Sequence, residues 1–251
     1  MQAPAVEPEI TWQAHDPTEL FALDPAPTLH LIVAVLADLD PADADTIALR
    51  WLGPEQLAHT LLWRSPLRRR HFLAGRIAAR LAGALALHLA PDLLHVTLTD
   101  TGAPRLHTPD HPHHPISITH SGRWALATAS PPNTFVGLDY EVGAGDKPHL
   151  AKTVCGPDEL ARFHLLDPDA GPRFERIWVL KEALLKALEV GLVAHLDHFA
   201  VTHISPDGRV RFAASAPLHP RVPFPLPTTL RAAVARFDGH PIAIAILPTP
   251  P

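Results

Sequence analysis

The sequence predicts an α+β fold in which each half of the chain combines short strands with one long helix. Residues 174–189 have apolar side chains at helical spacing, without internal glycine or proline, between Pro172 and Gly191. A second long helix is expected at residues 66–89. The remaining apolar segments are short and alternate between apolar and polar residues, which is typical of strands in a small sheet.

Strands and one further helix account for most of the other periodic segments. The strands are expected at residues 29–37, 94–98, 116–119, 124–129, 134–142, 198–204, 209–213, 229–237 and 242–247, and the helix at 158–166. The two runs at 124–129 and 134–142 flank Pro131, Pro132 and Asn133, so they are expected to form a hairpin.

Composition and proline placement suggest how the chain is divided. With 251 residues, 47% of them apolar, the chain forms one large domain or two small ones. Residues 1–27 are polar and proline-rich and are expected to be an extended arm. We expect an N-terminal α+β half at 28–114 and a C-terminal α+β half at 115–251, with proline-rich connections at 110–115 and 217–227.

Several classes of protein are disfavoured by the sequence. The longest apolar runs fall far short of the roughly 20 residues of a membrane span, and the N-terminus lacks the basic start and apolar run of a signal peptide. The single cysteine, Cys155, cannot form an internal disulfide. We therefore expect a cytoplasmic protein that does not bind membranes.

Two carboxylates share one face of the strand predicted at 134–142. Side chains alternate along a strand, so Asp139 and Glu141 point one way while Leu138 and Tyr140 point the other. Neighbouring anions repel, and a cation between them removes the repulsion. Oxygen ligands favour Mg²⁺ or Ca²⁺ over zinc. Because this short pattern is common, the spacing alone favours a solvated polar face on a half-buried strand.

The long C-terminal helix carries a carboxylate and an amine on one face. Residues four apart share a face, so Trp178, Glu182 and Lys186 form one stripe, with Lys181 beside it. Glu182 can supply a third carboxylate to a metal, and Lys186 can contact a phosphate oxygen. A solvated Glu–Lys pair is the simpler alternative reading of this spacing.

Taken together and in order, these motifs resemble the 4′-phosphopantetheinyl transferase superfamily, of the surfactin-synthetase-activating type. Residues 137–141 (Gly-Leu-Asp-Tyr-Glu) and 178–186 (Trp-Val-Leu-Lys-Glu-Ala-Leu-Leu-Lys) are similar to its two main signatures. Residues 117–121 (Ser-Ile-Thr-His-Ser) and the turn 102–104 (Gly-Ala-Pro) are similar to two upstream elements. Ser117, Thr119 and Tyr140 depart from the usual residues, which bears on substrate preference more than on the reaction.

The resemblance implies an activity. Coenzyme A would donate its phosphopantetheine arm to a serine of an apo acyl or peptidyl carrier protein in fatty-acid, polyketide or nonribosomal-peptide synthesis, releasing adenosine 3′,5′-bisphosphate. Mg²⁺ would bind Asp139, Glu141 and Glu182. Glu182 would act as general base, with Asp139 and Lys186 completing the catalytic set.

A basic segment and a histidine would bind coenzyme A. Six arginines lie within residues 64–80, although the formal net charge of the chain is −5. Arginine suits phosphates through its planar donor fork, and the resemblance favours Arg76 for the 3′-phosphate, followed by Arg69 and Arg80. It also implies contacts from His120 to a phosphate, and from Thr119, Lys181 and Lys186 to coenzyme A.

The resemblance also implies two similar α+β halves, related by a pseudo-twofold, with coenzyme A between them. Because the chain is long enough for both halves, a monomer is expected. No nucleic-acid motif accompanies the arginines, so nucleic acid is not expected as a partner. Two alternatives remain: another Mg²⁺-dependent phosphoryl enzyme such as a phosphoesterase or nuclease, and a non-catalytic binder of coenzyme A or a carrier protein.

Overall fold

The computed structural model describes most of the two predicted halves. The described residues are 10–21, 32–36, 41–61, 64–108, 114–143, 151, 154–156, 159, 173–190, 196, 199–205, 208–214, 226–227 and 229–248. Most of the predicted helix at 158–166, and most of the expected connections at 110–115 and 217–227, lie outside these residues.

The described elements alternate between short strands and helices. In chain order they are β1 (Trp12–His15), α1 (Pro17–Leu20), β2 (Ile32–Leu36), α2 (Pro41–Leu52), α3 (Pro54–Leu61), α4 (Pro66–Leu87), a 3₁₀ turn (Pro91–Leu93), β3 (His95–Leu98), β4 (Pro104–His107), β5 (His114–Ser121), β6 (Trp124–Ala129), β7 (Thr134–Tyr140), α5 (Arg173–Ala187), β8 (Phe199–Ile204), β9 (Arg209–Ala214), β10 (Arg231–Phe237) and β11 (His240–Pro248). No helix among them is long and apolar enough to cross a membrane.

The strands form two antiparallel sheets. The first has the order β1-β2-β6-β5-β4-β3 and the second has the order β7-β11-β10-β9-β8. Helix α4 packs on the first sheet and α5 packs on the second. The α+β class, with a long helix on each of two antiparallel sheets, is thus confirmed; the pseudo-twofold stays a prediction.

Three apolar clusters produce a layered arrangement. The opposite faces of the two sheets meet in a central core that includes Ile32, Leu126, Leu138 and Ile244. Side chains at alternate positions point outward to the helices, as strand geometry requires. The order of layers is therefore α4, first sheet, second sheet, α5.

Helix α4 has clear signals at both ends. Ser65 caps the N-terminus by accepting a hydrogen bond from the Arg68 amide at 3.3 Å, and Pro66 occupies the first turn, where its missing N–H costs nothing. The helix ends at His88, whose φ of 53° is left-handed. These signals fix where the arginine-bearing helix begins and ends.

The predicted hairpin between residues 124–129 and 134–142 is wrong. Strand β6 has β2 on one edge and β5 on the other, so no edge is left for β7. Pro131 and Pro132 lack N–H groups and cannot continue the ladder. The chain therefore crosses here from the first sheet into the second.

The strand pairings also bear on the predicted division of the chain. Strand β1 lies within the expected arm at 1–27 and pairs with β2, while β5, which begins at His114, and β6 belong to the first sheet. The hydrogen-bonded sheets thus divide between Ala129 and Thr134. The boundaries 1–27, 28–114 and 115–251 as folding units stay a prediction.

Candidate functional site

Strand β7 and helix α5 approach each other closely at Gly137. A Cβ at this position would lie 1.8 Å from the carbonyl oxygen of Ala183 and 2.6 Å from the amide nitrogen of Ala187. Only glycine permits such contact between two backbones. Because Asp139 lies two residues further along the same face, this contact brings it to the helix surface that carries Glu182 and Lys186.

Lys186 is hydrogen-bonded to both β5 and β7, at the place where the two sheets meet. Its Nζ donates to Asp139 Oδ1 at 2.7 Å, to the carbonyl of Leu138 on β7 at 3.0 Å and to that of Ile118 on β5 at 3.3 Å. An ammonium group has three N–H donors. All three are therefore directed at this junction, and the closest partner of Lys186 is Asp139.

Glu182 lies in an environment that opposes its ionisation. Burial raises the pKa of Glu182 to about 7, and the charges of Asp139 and Glu141 add to the effect while Lys186 opposes it. Two oxygens, Glu182 Oε1 and Asp139 Oδ2, are buried without a hydrogen-bond partner. Buried carboxylate oxygens of this kind need a proton or a cation.

These oxygens fit a hard divalent cation by their chemistry, since oxygen ligands are what Mg²⁺ prefers. Within the described part of the chain, however, no three His, Cys, Asp or Glu side chains are grouped closely enough to hold a metal. Asp139 is instead paired with Lys186, and Glu141 Oε1 accepts from Ser121 Oγ at 3.3 Å. The predicted set Asp139, Glu141 and Glu182 is thus not preassembled, and a magnesium site there is a proposal.

A cavity of about 510 Å³ adjoins Lys186, the partner of Asp139. It lies between α4, the β3–β4 turn, β5 and the end of α5. Its lining includes Arg68, His71, Phe72, Arg76, Leu98, Gly102, Ala103, Pro104, Ser117, Ile118, His120, Leu185, Lys186 and Glu189. Residues from all the recognised motifs except 137–141 therefore meet in one cavity. A second cavity, of about 670 Å³, lies against β8–β10, away from the predicted site residues.

Arg76 provides a buried cation in the cavity wall. Its side chain is only 9% exposed, and its Nη1 has no hydrogen-bond partner. Burial lowers its pKa to about 10, so the guanidinium remains charged at neutral pH. It lies 4.9 Å from the ring centre of Phe72. An unsatisfied, charged N–H donor is suited to an anionic ligand.

His120 and His71 stack against each other in the same wall, with ring centres 4.8 Å apart. His71 Nε2 lies 2.9 Å from the Gly122 carbonyl, which can only accept, so this nitrogen carries the proton. Although His120 is partly open to solvent, desolvation by the surrounding protein, followed by the charges of His71 and Lys186, lowers its pKa to about 4. His120 is therefore neutral at neutral pH without an anion beside it.

Glu189 brings a negative charge to the same cavity and is balanced by Arg105. Arg105 Nη2 forms an ion pair with Glu189 Oε1, and Arg105 Cζ lies over the ring of Phe135, 5.9 Å from its centre. The sequence does not indicate this pair, because β4 and the end of α5 are far apart along the chain.

Two of the arginines predicted to bind coenzyme A contact other parts of the protein. Arg69 forms an ion pair with Asp45 on α2, and its Nε donates to Thr60 Oγ1 at 3.4 Å. Arg80 Nε donates to the carbonyl of Pro91 at 2.7 Å. Neither lines the cavity. Their predicted role does not fit the structure, because intramolecular acceptors hold them.

Lys181 and Thr119 also lie elsewhere than predicted. Lys181 is fully buried and donates to Glu159 Oε2 at 2.7 Å and to the carbonyls of Val154 and Leu196 at 2.6 and 2.9 Å. Its donors are used within the core of the second half. Thr119 is buried and its Oγ1 donates toward Asp139 Oδ1 at 3.1 Å. A contact with coenzyme A fits neither side chain.

The chain is similar to known proteins across the region that carries the motifs at 137–141 and 178–186. Residues 135–245 match the family model of the 4′-phosphopantetheinyl transferase superfamily. The chain is 29% identical over 150 residues to a Synechocystis sp. protein provisionally named a 4′-phosphopantetheinyl transferase, covering 58% of this chain and 60% of that protein. It is also 29% identical over 177 residues to a phosphopantetheinyl transferase of Thraustochytrium sp., covering 64% of this chain and 61% of the relative.

The matched part of the chain therefore spans about three fifths of the length of these relatives. The family match begins at Phe135 and includes β7, α5 and most of the second sheet, where Asp139, Glu182 and Lys186 lie. The similarity of this chain to the 4′-phosphopantetheinyl transferase superfamily, which its ordered motifs predict, is thus confirmed across residues 135–245.

Proposed function

We propose that the protein transfers the 4′-phosphopantetheine arm of coenzyme A to a serine of an apo acyl or peptidyl carrier protein, releasing adenosine 3′,5′-bisphosphate. The observation that carries this proposal is the cavity in which Arg76, His120 and Lys186 converge beside Asp139. It supplies separate cationic and hydrogen-bonding groups for a ligand with several phosphates.

The lining residues are suited to distinct parts of coenzyme A. Arg76, with its unpartnered Nη1, is our candidate for the 3′-phosphate. His120 lies at the β5 side of the cavity, where it can contact the pyrophosphate. Lys186 lies at the α5 side, where a contact with the pyrophosphate would replace its longest hydrogen bond, to the Ile118 carbonyl. An anion beside His120 favours its protonated form, which would convert a neutral ring into a further cation beside Arg76 and Lys186.

Glu182 is the candidate general base. Without a bound cation the pKa of Glu182 is about 7, and a carboxylate with that pKa accepts a proton near neutral pH more readily than an ordinary one. The carrier serine would pass its proton to Glu182 as its oxygen bonds to the phosphorus next to the pantetheine. The bond from that phosphorus to the bridging oxygen breaks, and the electron pair leaves with adenosine 3′,5′-bisphosphate.

Asp139 and Glu182, with their unpartnered Oδ2 and Oε1, are the residues that would hold Mg²⁺, with Glu141 as a third candidate. When bound, the ion would neutralise pyrophosphate charge and polarise the phosphorus. Lys186, which already contacts Asp139, would keep the carboxylate oriented and offset charge on the leaving group. We also propose that one chain suffices, since elements of both sheets line the cavity.

One observation favours a second candidate, a non-catalytic binder of coenzyme A or a carrier protein. Lys186 already neutralises Asp139, and a ready-made three-carboxylate cluster is absent from the described residues. Such a protein would bind coenzyme A in the same cavity without consuming it.

The test is to mix the protein with coenzyme A, Mg²⁺ and a panel of apo carrier proteins and to record intact masses. We expect one carrier class to gain one phosphopantetheine arm, and Glu182→Gln to reduce the rate at least about 100-fold. Binding of coenzyme A with no gain on any carrier would favour the binder. The acyl or peptidyl class of the modified carrier would identify the pathway.

A further inference from the structure

Three hydroxyl groups on β5 join it to the exposed edge of β7. Strand β7 pairs with β11 on one side only, so the amides of Leu138, Tyr140 and Val142 point away from the second sheet. Ser117 Oγ accepts from Leu138 N at 2.8 Å, Thr119 Oγ1 from Tyr140 N at 3.1 Å and Ser121 Oγ from Val142 N at 2.9 Å. The constant separation of 21 residues shows that β5 and β7 run parallel.

Two of these three hydroxyls also contact a carboxylate of the candidate site. Thr119 Oγ1 lies 3.1 Å from Asp139 Oδ1, and Ser121 Oγ lies 3.3 Å from Glu141 Oε1. A hydroxyl has a single proton but two lone pairs. Because each oxygen accepts a backbone N–H, its proton is left to be donated. Ser121 directs it at Glu141, and Thr119 lies closer to Asp139 Oδ1, at 3.1 Å, than to its other acceptor, the Tyr140 carbonyl, at 3.4 Å.

Ser117 makes the same contact with the strand but touches no carboxylate. Its Oγ accepts from Leu138 N, and its proton faces the Leu138 carbonyl at 3.5 Å. The three hydroxyls therefore share one structural role, the capping of an edge strand. Of the three, Thr119 and Ser121 are the ones that also contact a carboxylate of the candidate site.

We propose that Thr119 and Ser121 are positioning residues that orient Asp139 and Glu141 for a divalent cation. The inference rests on the proposed function and deepens it. Thr119 and Lys186 both bind Oδ1 of Asp139, so they fix that carboxylate with Oδ2 unpartnered; the residue is only 6% exposed. Oδ2 is therefore the oxygen left for a cation, and Asp139 would bind it through one atom.

The same arrangement explains why alternate residues of 117–121 carry hydroxyls. A valine at 119 would have nearly the same shape but could neither cap the Tyr140 amide nor direct the Asp139 carboxylate. A serine at 119 would keep both contacts. Residues that orient a metal ligand typically change metal affinity about 10- to 100-fold when they are replaced.

The test measures Mn²⁺ binding to the full-length protein by electron paramagnetic resonance, with thermal unfolding recorded in EDTA. Thr119→Val and Ser121→Ala should weaken Mn²⁺ binding about 10-fold, whereas Thr119→Ser should bind Mn²⁺ as the unsubstituted protein does. Ser117→Ala is the matched control. It should lower the Tm as much as Ser121→Ala does but leave Mn²⁺ affinity unchanged.

Equal loss of Mn²⁺ affinity in all three positions would overturn the proposal, since the hydroxyls would then act only by joining the strands. Unchanged affinity in Thr119→Val and Ser121→Ala, or no Mn²⁺ binding to the unsubstituted protein, would also overturn it. If Thr119→Val does not fold, the comparison of Mn²⁺ affinity between Ser121→Ala and Ser117→Ala decides the outcome. Failure of the proposed function would show separately, as the absence of phosphopantetheine transfer to any carrier.

Discussion

Lys186 on α5 and Asp139 on β7 form an ion pair at 2.7 Å that joins the helix of the second half to the strand at the junction of the two sheets. The lysine also bridges the carbonyls of Ile118 and Leu138, one on each sheet. This pair therefore contributes both to stability and to the candidate site.

Replacing Lys186 with methionine should destabilise the protein by about 2 kcal/mol. The change leaves Asp139 largely buried without its cation, which costs about 3–5 kcal/mol in a fully buried pair; we expect less because the Lys186 side chain is 30% exposed. Urea unfolding measures the difference, and Lys186→Arg, which keeps the charge, should lose less. An unfolding free energy equal to that of the unsubstituted protein would show that the pair contributes nothing.

The raised pKa of Glu182 predicts a particular dependence of stability on pH. Between its ordinary value of 4.5 and its folded value of about 7, the folded protein holds a proton that the unfolded chain has lost. Its stabilising contribution is therefore complete below pH 4.5 and is lost as pH rises through about 7. Without bound metal, the resulting decrease in the free energy of unfolding should be on the order of 2–3 kcal/mol.

Glu182→Gln isolates this effect, because glutamine has nearly the same shape and does not titrate. Urea unfolding of both proteins in EDTA, from pH 4 to 8, should give curves that diverge as the pH rises, with the variant relatively more stable at the alkaline end. Parallel curves would mean that Glu182 ionises normally in the folded protein.

Arg76→Ala should weaken binding of coenzyme A more than binding of dephospho-coenzyme A. If Arg76 contacts the 3′-phosphate, losing that charged hydrogen bond should cost coenzyme A roughly 10-fold in affinity. Isothermal titration with both ligands measures the ratio. Arg69→Ala is the control on the same helix, since Arg69 contacts Asp45 rather than the cavity and should leave the ratio unchanged. Equal losses for both ligands in Arg76→Ala would exclude the 3′-phosphate contact.

Gly137→Ala should be strongly destabilising, by about 3 kcal/mol or more, because the added methyl group overlaps the backbone of α5. Gly156→Ala is the matched control, since a Cβ there meets nothing within 4 Å. Urea unfolding of the two variants compares them directly. A small and equal effect of both substitutions would show that α5 moves away from β7 without cost.

The long helices and most strands could be predicted because their apolar periodicity is local. The crossing of the chain from β6 to β7 could not be predicted. The alternation of apolar and polar residues shows which residues share a face of a strand but not which strand lies beside it. The deciding facts were that both edges of β6 are occupied and that Pro131 and Pro132 cannot donate.

The candidate site could be predicted only in part, because spacing along the chain shows which residues share a face but not which residues of other segments contact them. The structure places Asp139, Glu182 and Lys186 near one another, because Gly137 allows strand and helix to touch, while their roles stay a prediction. The motif did not distinguish Lys186 from Lys181, which lies five residues earlier on the helix and is buried against Glu159. Helical spacing could not reveal that partner, which lies on another segment of the chain.

The most direct test of the central claim is the stoichiometry between adenosine 3′,5′-bisphosphate released and carrier serine modified. Chromatography of the nucleotide and mass spectrometry of the carrier, in one reaction with coenzyme A and Mg²⁺, provide both quantities. The proposed transfer predicts one nucleotide for each modified serine, and none when that serine is replaced by alanine. Release of nucleotide at an undiminished rate from the alanine carrier, or without any carrier, would contradict it.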